Sequence, residues 1–231
     1  MTRPIVAIDG PAGAGKSTVA KGVAERLGYI YVDTGAMYRA VALKVIREKI
    51  AVSDHAAIAA LARRLDIRFE KVGDEQRIFV DGEDVTEAIR TAEATRLSSP
   101  VSAIKGVRKR LVELQRKMGE RGGIVMEGRD IGTVVFPNAE VKVFLTASAG
   151  ERARRRTDQL RQMGVEADVQ QIAAEISERD LRDSSRSEAP LKQAPDAVLI
   201  ETDGLTLEQV IEAVIAVHDQ KVKSTVRENS E

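Results

Sequence analysis

The sequence predicts an α/β fold: a five-stranded, mostly parallel sheet flanked by helices, with a small antiparallel meander inserted into it. Three observations predict it. Five short apolar segments, at residues 5–8, 29–32, 124–127, 141–145 and 197–200, alternate with stretches of helical periodicity, as repeated βαβ units do. The first segment leads through Asp9 into Gly10-Pro11-Ala12-Gly13-Ala14-Gly15-Lys16-Ser17-Thr18, a glycine-rich turn that opens a helical pattern. Residues 66–85 break the alternation with two short strand-like runs, Ile67-Arg68-Phe69 and Arg77-Ile78-Phe79-Val80, and the turn signals Val72-Gly73-Asp74 and Asp81-Gly82.

The glycine-rich turn carries the chemistry. Gly10, Gly15, Lys16 and Ser17 satisfy G-x-x-x-x-G-K-[ST], in which glycines let backbone N–H groups curl around phosphate with no Cβ in the way. Residues 10–18 would bind the nucleotide, with Lys16 reaching the β- and γ-phosphates from a cleft that faces water and the Ser17 hydroxyl ligating Mg²⁺. The helix that follows adds its unpaired N–H groups and the positive end of its dipole.

Composition sets bounds. The 231 residues are 43% apolar, enough for a sizeable core, and 36 basic side chains cancel 36 acidic ones. No global field therefore favours nucleic acid or a membrane surface, and anion binding must be local. There is no cysteine, hence no disulfide or thiolate chemistry. The apolar run at 5–8 is too short for a signal peptide and no run reaches membrane-spanning length, so a cytoplasmic location is expected.

Each element has its own signal. Val19, Val23, Ala24 and Leu27 keep helical spacing until Gly28 stops the helix. Asp33-Thr34-Gly35 turns into a second helical pattern over 36–50, and Ser53 is a candidate N-cap for a third running to Leu65. Residues 86–97 read as irregular or helical. Ser99-Pro100 reads as the start of a helix lasting to Gly119. Gly128-Arg129-Asp130-Ile131-Gly132-Thr133 reads as a polar loop, 149–186 as a charged helical region, and 206–218 as a closing helix; 221–231 loses periodicity and is expected to be a disordered tail. In such a sheet, ligands bind at the carboxyl ends of the strands, where the phosphate loop, Asp33, Arg129 and Asp130 are expected to converge on one cleft.

Phosphoryl transfer would need a second anion site and charge neutralisation, work suited to arginine. Arg39 and Arg129 follow strand ends, and Arg108 lies on a helix that precedes one. Arg152, Arg154, Arg155 and Arg156 cluster on one helix, and Arg179, Arg182 and Arg186 recur at spacings of three and four. Each cluster reads equally as a solvated helix face paired with Glu151, Asp158, Glu175 and Glu178, or as part of a mobile cover over donor phosphates.

These residues carry a resemblance. The phosphate loop, Asp33-Thr34-Gly35-Ala36-Met37-Tyr38-Arg39, Asp81-Gly82-Glu83-Asp84-Val85, the run Gly128-Arg129-Asp130-Ile131-Gly132-Thr133-Val134-Val135-Phe136-Pro137, and Glu178-Arg179-Asp180-Leu181-Arg182-Asp183 with Arg186 together resemble the bacterial cytidylate kinases. The resemblance implies a P-loop kinase core over residues 1–220, with the meander at 66–85 in a monophosphate-binding lobe and a helical lid at 149–163. It implies ATP-dependent, Mg²⁺-requiring phosphorylation of CMP, and of dCMP, by a monomer that binds neither nucleic acid nor membrane. Thr34, Arg39, Arg129 and Arg186 would hold the acceptor phosphate, Arg179 and Asp183 the sugar, and Ser99, Arg108 and Asp130 the cytosine; Lys16, Arg129, Arg154 and Arg156 would act on the transferring charge. Two rival readings are a kinase of a small-metabolite hydroxyl, with Asp33 or Asp130 as base, and a nucleotide-switch protein that hydrolyses without an acceptor.

Overall fold

The computed structural model describes residues 3–73, 75–162, 164–186 and 188–228. The chain divides into two compact units, one made of Met1–Tyr31 and Arg121–Glu231, the other of Val32–Glu120.

In the first unit the apolar strand β1 (Arg3–Asp9) is central. The sheet order is β2-β6-β1-β7-β8, with β2 at Ile30–Asp33, β6 at Gly122–Gly128, β7 at Val141–Thr146 and β8 at Val198–Glu201. β1 runs parallel to β6, with Asp9 opposite Gly128, and to β7, with Asp9 opposite Phe144; β7 runs parallel to β8. Parallel neighbours need crossover connections, and strands covered on both faces must be apolar, which is why the inner strands β1, β6 and β7 are nearly unbroken hydrophobic runs. Helices α1 (Lys16–Leu27) and α8 (Leu207–Glu228) cover one face: Val6, Ile8, Val143 and Leu145 meet Val19 and Val23 of α1 and Val210 and Val214 of α8 in one buried cluster. α1 ends as its sequence predicts. Gly28 is left-handed at φ 62°, and the Tyr29 N–H donates to the Ala24 carbonyl at 2.9 Å.

Three readings of this unit change. The run after Gly128 is no open loop: Ile131–Val135 form a π-helical turn that buries Ile131, Gly132 and Val135, because alternate small and apolar side chains can face the core there. The charged region at 149–186 is two helices, α6 (Ala149–Gln162) and α7 (Val169–Ser184), parted where Gly164 is left-handed and Asp168 caps α7 by accepting the Gln171 N–H at 2.9 Å. They share a small core of Ala153, Ile172 and Ile176. The segment expected as a tail from residue 221 is helical as far as Glu228, while 229–231 lie outside the described residues.

The second unit is helical around a hairpin. It contains α2 (Thr34–Arg47), α3 (His55–Arg64), β3 (Ile67–Val72), β4 (Glu75–Val80), β5 (Glu83–Asp84), a 3₁₀ turn at Ala88–Arg90, α4 (Ala92–Ala103) and α5 (Lys105–Gly119). The meander is antiparallel, Ile67 opposite Val80 and Phe79 opposite Asp84; Asp74 of its first turn lies outside the described residues. In the second turn Asp81 and Gly82 are both left-handed, the backbone that a two-residue hairpin connection requires. Asp54, not Ser53, caps α3, accepting the Ala57 N–H at 2.9 Å. Ser99-Pro100 starts no helix: both lie inside α4, which Thr91 caps, and the break comes at Ile104, whose extended backbone separates α4 from α5. A proline in a last turn removes one donor but leaves the preceding turns intact, so the pattern alone could not fix which end it marked.

One glycine sets the geometry that follows. A Cβ on Gly10 would collide with the Leu145 carbonyl oxygen, part of the backbone of β7. We expect Gly10→Ala to cost about 3 kcal/mol of stability through backbone displacement. Urea unfolding would read this as a lowered midpoint at unchanged slope, and a midpoint equal to wild type would show that the loop yields freely.

Candidate active site

The first unit gathers its charged side chains where β1 and β6 end. Beyond Asp9 and Gly10 the chain folds back so that Gly13 and Gly15 are left-handed, and α1 begins at Lys16 with no side chain capping its first N–H groups. Those donors suit an anion. Ser17 and Thr18 are exposed, but Lys16 is only 6% exposed and so does not face water as expected. Its Nζ donates to the Pro11 carbonyl at 2.7 Å. Burial, reinforced by the Arg129 guanidinium, lowers its pKa to about 7 against the opposing pull of Glu127 and Asp9.

Two acids that the motif reading left without a role flank this lysine. Asp9 accepts the backbone N–H groups of Ile131 at 2.9 Å and Gly132 at 2.7 Å, which fixes the π-helical turn after Asp130. Burial raises Asp9 to about 6 although both N–H bonds oppose the shift. Glu127, also buried, accepts the Tyr31 hydroxyl at 2.6 Å. A signal for both existed: each is a single acid that closes an otherwise apolar strand at its carboxyl end.

The arginine set organises around Asp183, which is 2% exposed. Arg129 Nε donates to its Oδ2 at 2.9 Å, Arg186 Nη2 pairs with its Oδ1, and Arg179 Nε lies 4.0 Å from Oδ2. Burial alone would raise the Asp183 carboxyl, but Arg129, Arg186 and Arg179 overcome it and hold the group below the usual carboxylate range. Three guanidinium groups on one carboxylate leave a net positive locus, able to take a second anion.

The four arginines of α6 divide by direction. Arg152 packs on Gly13 and donates through Nη1 to the Ala12 carbonyl at 3.0 Å; Arg155 donates to the Thr202 hydroxyl and carbonyl, each at 2.8 Å. Arg154 is exposed between Glu151 (2.7 Å) and Asp158 (3.0 Å), and Arg156 donates to Gln159 at 2.7 Å. Arg154 thus has the solvated-face geometry, whereas Arg152 faces the loop.

Asp130 is buried in the first unit, and the remaining predicted residues belong to the second. Asp33 caps α2 through the Ala36 N–H (2.9 Å) and accepts Arg39 Nη2 at 2.7 Å, so its carboxylate is engaged twice, while Arg39 Nε is buried without a hydrogen-bond partner. Thr34, Ser99 and Arg108 are buried; Arg108 stacks over the Tyr38 ring at 5.8 Å and donates to the Ser102 carbonyl at 3.4 Å.

A lysine lowered to about 7 takes up a proton when a phosphate arrives, because the anion restores its ordinary basicity. We expect the binding of ADP, whose phosphates are fully ionised at pH 8, to draw up to about one proton per chain. Calorimetry in buffers of different ionisation enthalpy would measure it, and Lys16→Met should abolish it. Equal heats in all buffers for the wild-type chain would place Lys16 away from the bound anion.

Comparison with known proteins bears on the whole arrangement. The family model described as cytidylate kinase matches residues 6–220. The chain is 55% identical over 208 residues to the cytidylate kinase of Geobacter sp. (strain M21), covering 90% of this chain and 89% of the relative. It is 53% identical over 224 residues to the cytidylate kinase of Citrifermentans bemidjiense, covering 97% and 93%. The fold alone is shared with the crystal structure of an uncharacterized protein from Eubacterium ventriosum, at a TM-score of 0.52 and 13% identity over 94% of this chain and 99% of that one. With a family model spanning nearly its full length and relatives more than half identical across both chains, this protein belongs to the cytidylate kinase family.

Proposed function

We infer that the chain transfers the γ-phosphoryl group of ATP to CMP, and to dCMP, giving the nucleoside diphosphate and ADP. The match to cytidylate kinases over almost the whole chain carries this reading, and the Asp183-centred arginine cluster beside Lys16 supports it chemically. Catalysis is positioning and charge neutralisation. The acceptor phosphate, with a second pKa near about 6, is largely dianionic at neutral pH and needs no general base. Asp33, already engaged by a helix N-terminus and an arginine, has no proton to collect in such a reaction.

Residues 10–18 bind the donor phosphates through backbone N–H groups and Lys16. The hard oxygens of Ser17 and Glu127 suit Mg²⁺, which is held by one or two protein oxygens together with substrate phosphates; when bound it neutralises charge between those phosphates. Arg129 and Arg186 bind the acceptor phosphate with Thr34 and Arg39, and Arg179 with Asp183 binds the sugar. Ser99, Arg108 and Asp130 read the base. Helix α6 serves as the lid of residues 149–163, and its arginines act on the transferring charge; Arg154 and Arg156 must first leave Glu151, Asp158 and Gln159 to do so. We take the enzyme to act as a monomer, without nucleic acid. No described helix is long and apolar enough to cross a membrane, and we place the enzyme in the cytoplasm.

An ADP-release assay offering CMP, dCMP, UMP, AMP and shikimate in turn tests the reading. CMP and dCMP should be the preferred acceptors; turnover with shikimate, or equal turnover with no acceptor, would overturn it. Base choice follows from donors and acceptors at the ring edge. A carboxylate at Asp130 accepts from the cytosine amino group, and the Arg108 guanidinium donates to N3 or O2, whereas uracil mismatches both. Each mismatch costs on the order of 1–3 kcal/mol. Asp130→Asn, which can offer an amide donor to the uracil carbonyl, should narrow the CMP/UMP ratio of kcat/KM, and an unchanged ratio would remove Asp130 from base recognition.

A further inference from the structure

Helix α7 presents two carboxylates three residues apart, and therefore on one face. Asp183 serves the arginine cluster. Asp180 makes bonds for which phosphoryl transfer has given no reason so far. Its Oδ1 accepts the backbone N–H of Ala12 at 3.2 Å, within the phosphate loop, and its Oδ2 pairs with Arg152 Nη1. The same Nη1 donates to the Ala12 carbonyl at 3.0 Å, and Arg152 Nε donates to the Ala147 carbonyl at 3.1 Å. The side chains are largely withdrawn from water, at 19% exposure for Asp180 and 12% for Arg152. Both backbone groups of one loop residue are thus held, the N–H by a carboxylate and the carbonyl by a guanidinium.

Carboxylate and phosphate are the same kind of partner, anionic oxygen acceptors for N–H and guanidinium groups. A loop built to wrap phosphate in N–H donors cannot give the Ala12 N–H to both, and the two anions repel at such range. Arg152 has the same choice, since its fork meets a carboxylate or a phosphate equally well. We propose that Asp180 is a positioning residue of the donor site: it holds Arg152 over the phosphate loop and competes with the donor phosphates for the Ala12 N–H, so that nucleotide entry passes Arg152 from Asp180 to phosphate. This rests on the donor-nucleotide reading of the loop. It also connects that loop to the helix bearing Arg179 and Asp183.

Competition has a signature that a structural role lacks, because removing the competitor tightens binding. Titration of the full chain with Mg-ATP and Mg-ADP in a calorimeter should show Asp180→Ala binding both about tenfold more tightly than wild type, the worth of one charge-assisted hydrogen bond released. Its kcat should fall, since Arg152 is no longer held in place. Glu178→Gln is the control. It removes one negative charge from the same helix, where Glu178 pairs with Arg182 on the exposed side, and should leave both affinities within about twofold. Weaker or unchanged binding by Asp180→Ala overturns the proposal, as does equal tightening in Glu178→Gln, which would show only long-range charge. If the alanine variant does not fold, Asp180→Asn preserves shape with a weaker neutral acceptor and should tighten binding in the same direction by less. A wrong acceptor assignment would appear in the acceptor panel and leave these nucleotide affinities untouched.

Discussion

An ammonium group buried at the end of the central strand is the constraint to which the surrounding structure answers. Lys16 lies where β1 gives way to α1, and an isolated buried charge is too costly to persist. The Pro11 carbonyl accepts from it, Asp9 and Glu127 offset it, and Arg129 opposes it. The balance leaves the lysine less basic than usual, so that an arriving phosphate completes a site the protein holds only partly neutralised. A fold that buried Lys16 behind apolar side chains, or left it in water, would lose this responsiveness.

The acids beside it act as braces. Asp9 accepts two consecutive backbone N–H groups and thereby sets the turn that follows Arg129 and Asp130, so the strand that feeds the phosphate loop also orients the residues after β6. Asp183 does for side chains what Asp9 does for backbone. Its oxygens hold Arg129 and Arg186 in place, and a guanidinium already fixed by one carboxylate loses little further freedom on meeting a phosphate. Buried pairs of this kind give little stability, but they preorganise charge.

Helices α6 and α7 share a small apolar core, Ala153 with Ile172 and Ile176, and an ion pair between Arg152 and Asp180. Segments with little apolar burial open at low cost, which suits a cover over reacting phosphates. Within α6 the side chains are not equivalent. Arg154 lies in an ion-pair ladder that water can replace, whereas Arg152 is bonded to the loop itself.

Local signals in the chain settled the fold class and the phosphate loop. A glycine-rich turn between an apolar run and a helical period admits few backbones, Gly28 ended its helix because a left-handed residue was needed there, and Asp81-Gly82 made the hairpin turn for the same reason. The residue types of the arginine set were legible too, and their spacing along and just beyond α7 placed Arg179, Asp183 and Arg186 near one another. Direction was not legible. Whether an arginine on α6 met solvent or the loop depended on the angle at which that helix crosses Gly13, and the roles of Asp9, Glu127 and Asp180 depended on partners up to 168 positions away in the chain. Helix ends failed where capping signals competed: Ser53 stood beside Asp54, and Pro100 fell within a helix whose cap was Thr91. Sequence determines what each residue can do through its local chemistry; which neighbours it does it with is decided by packing between segments that the sequence does not place side by side.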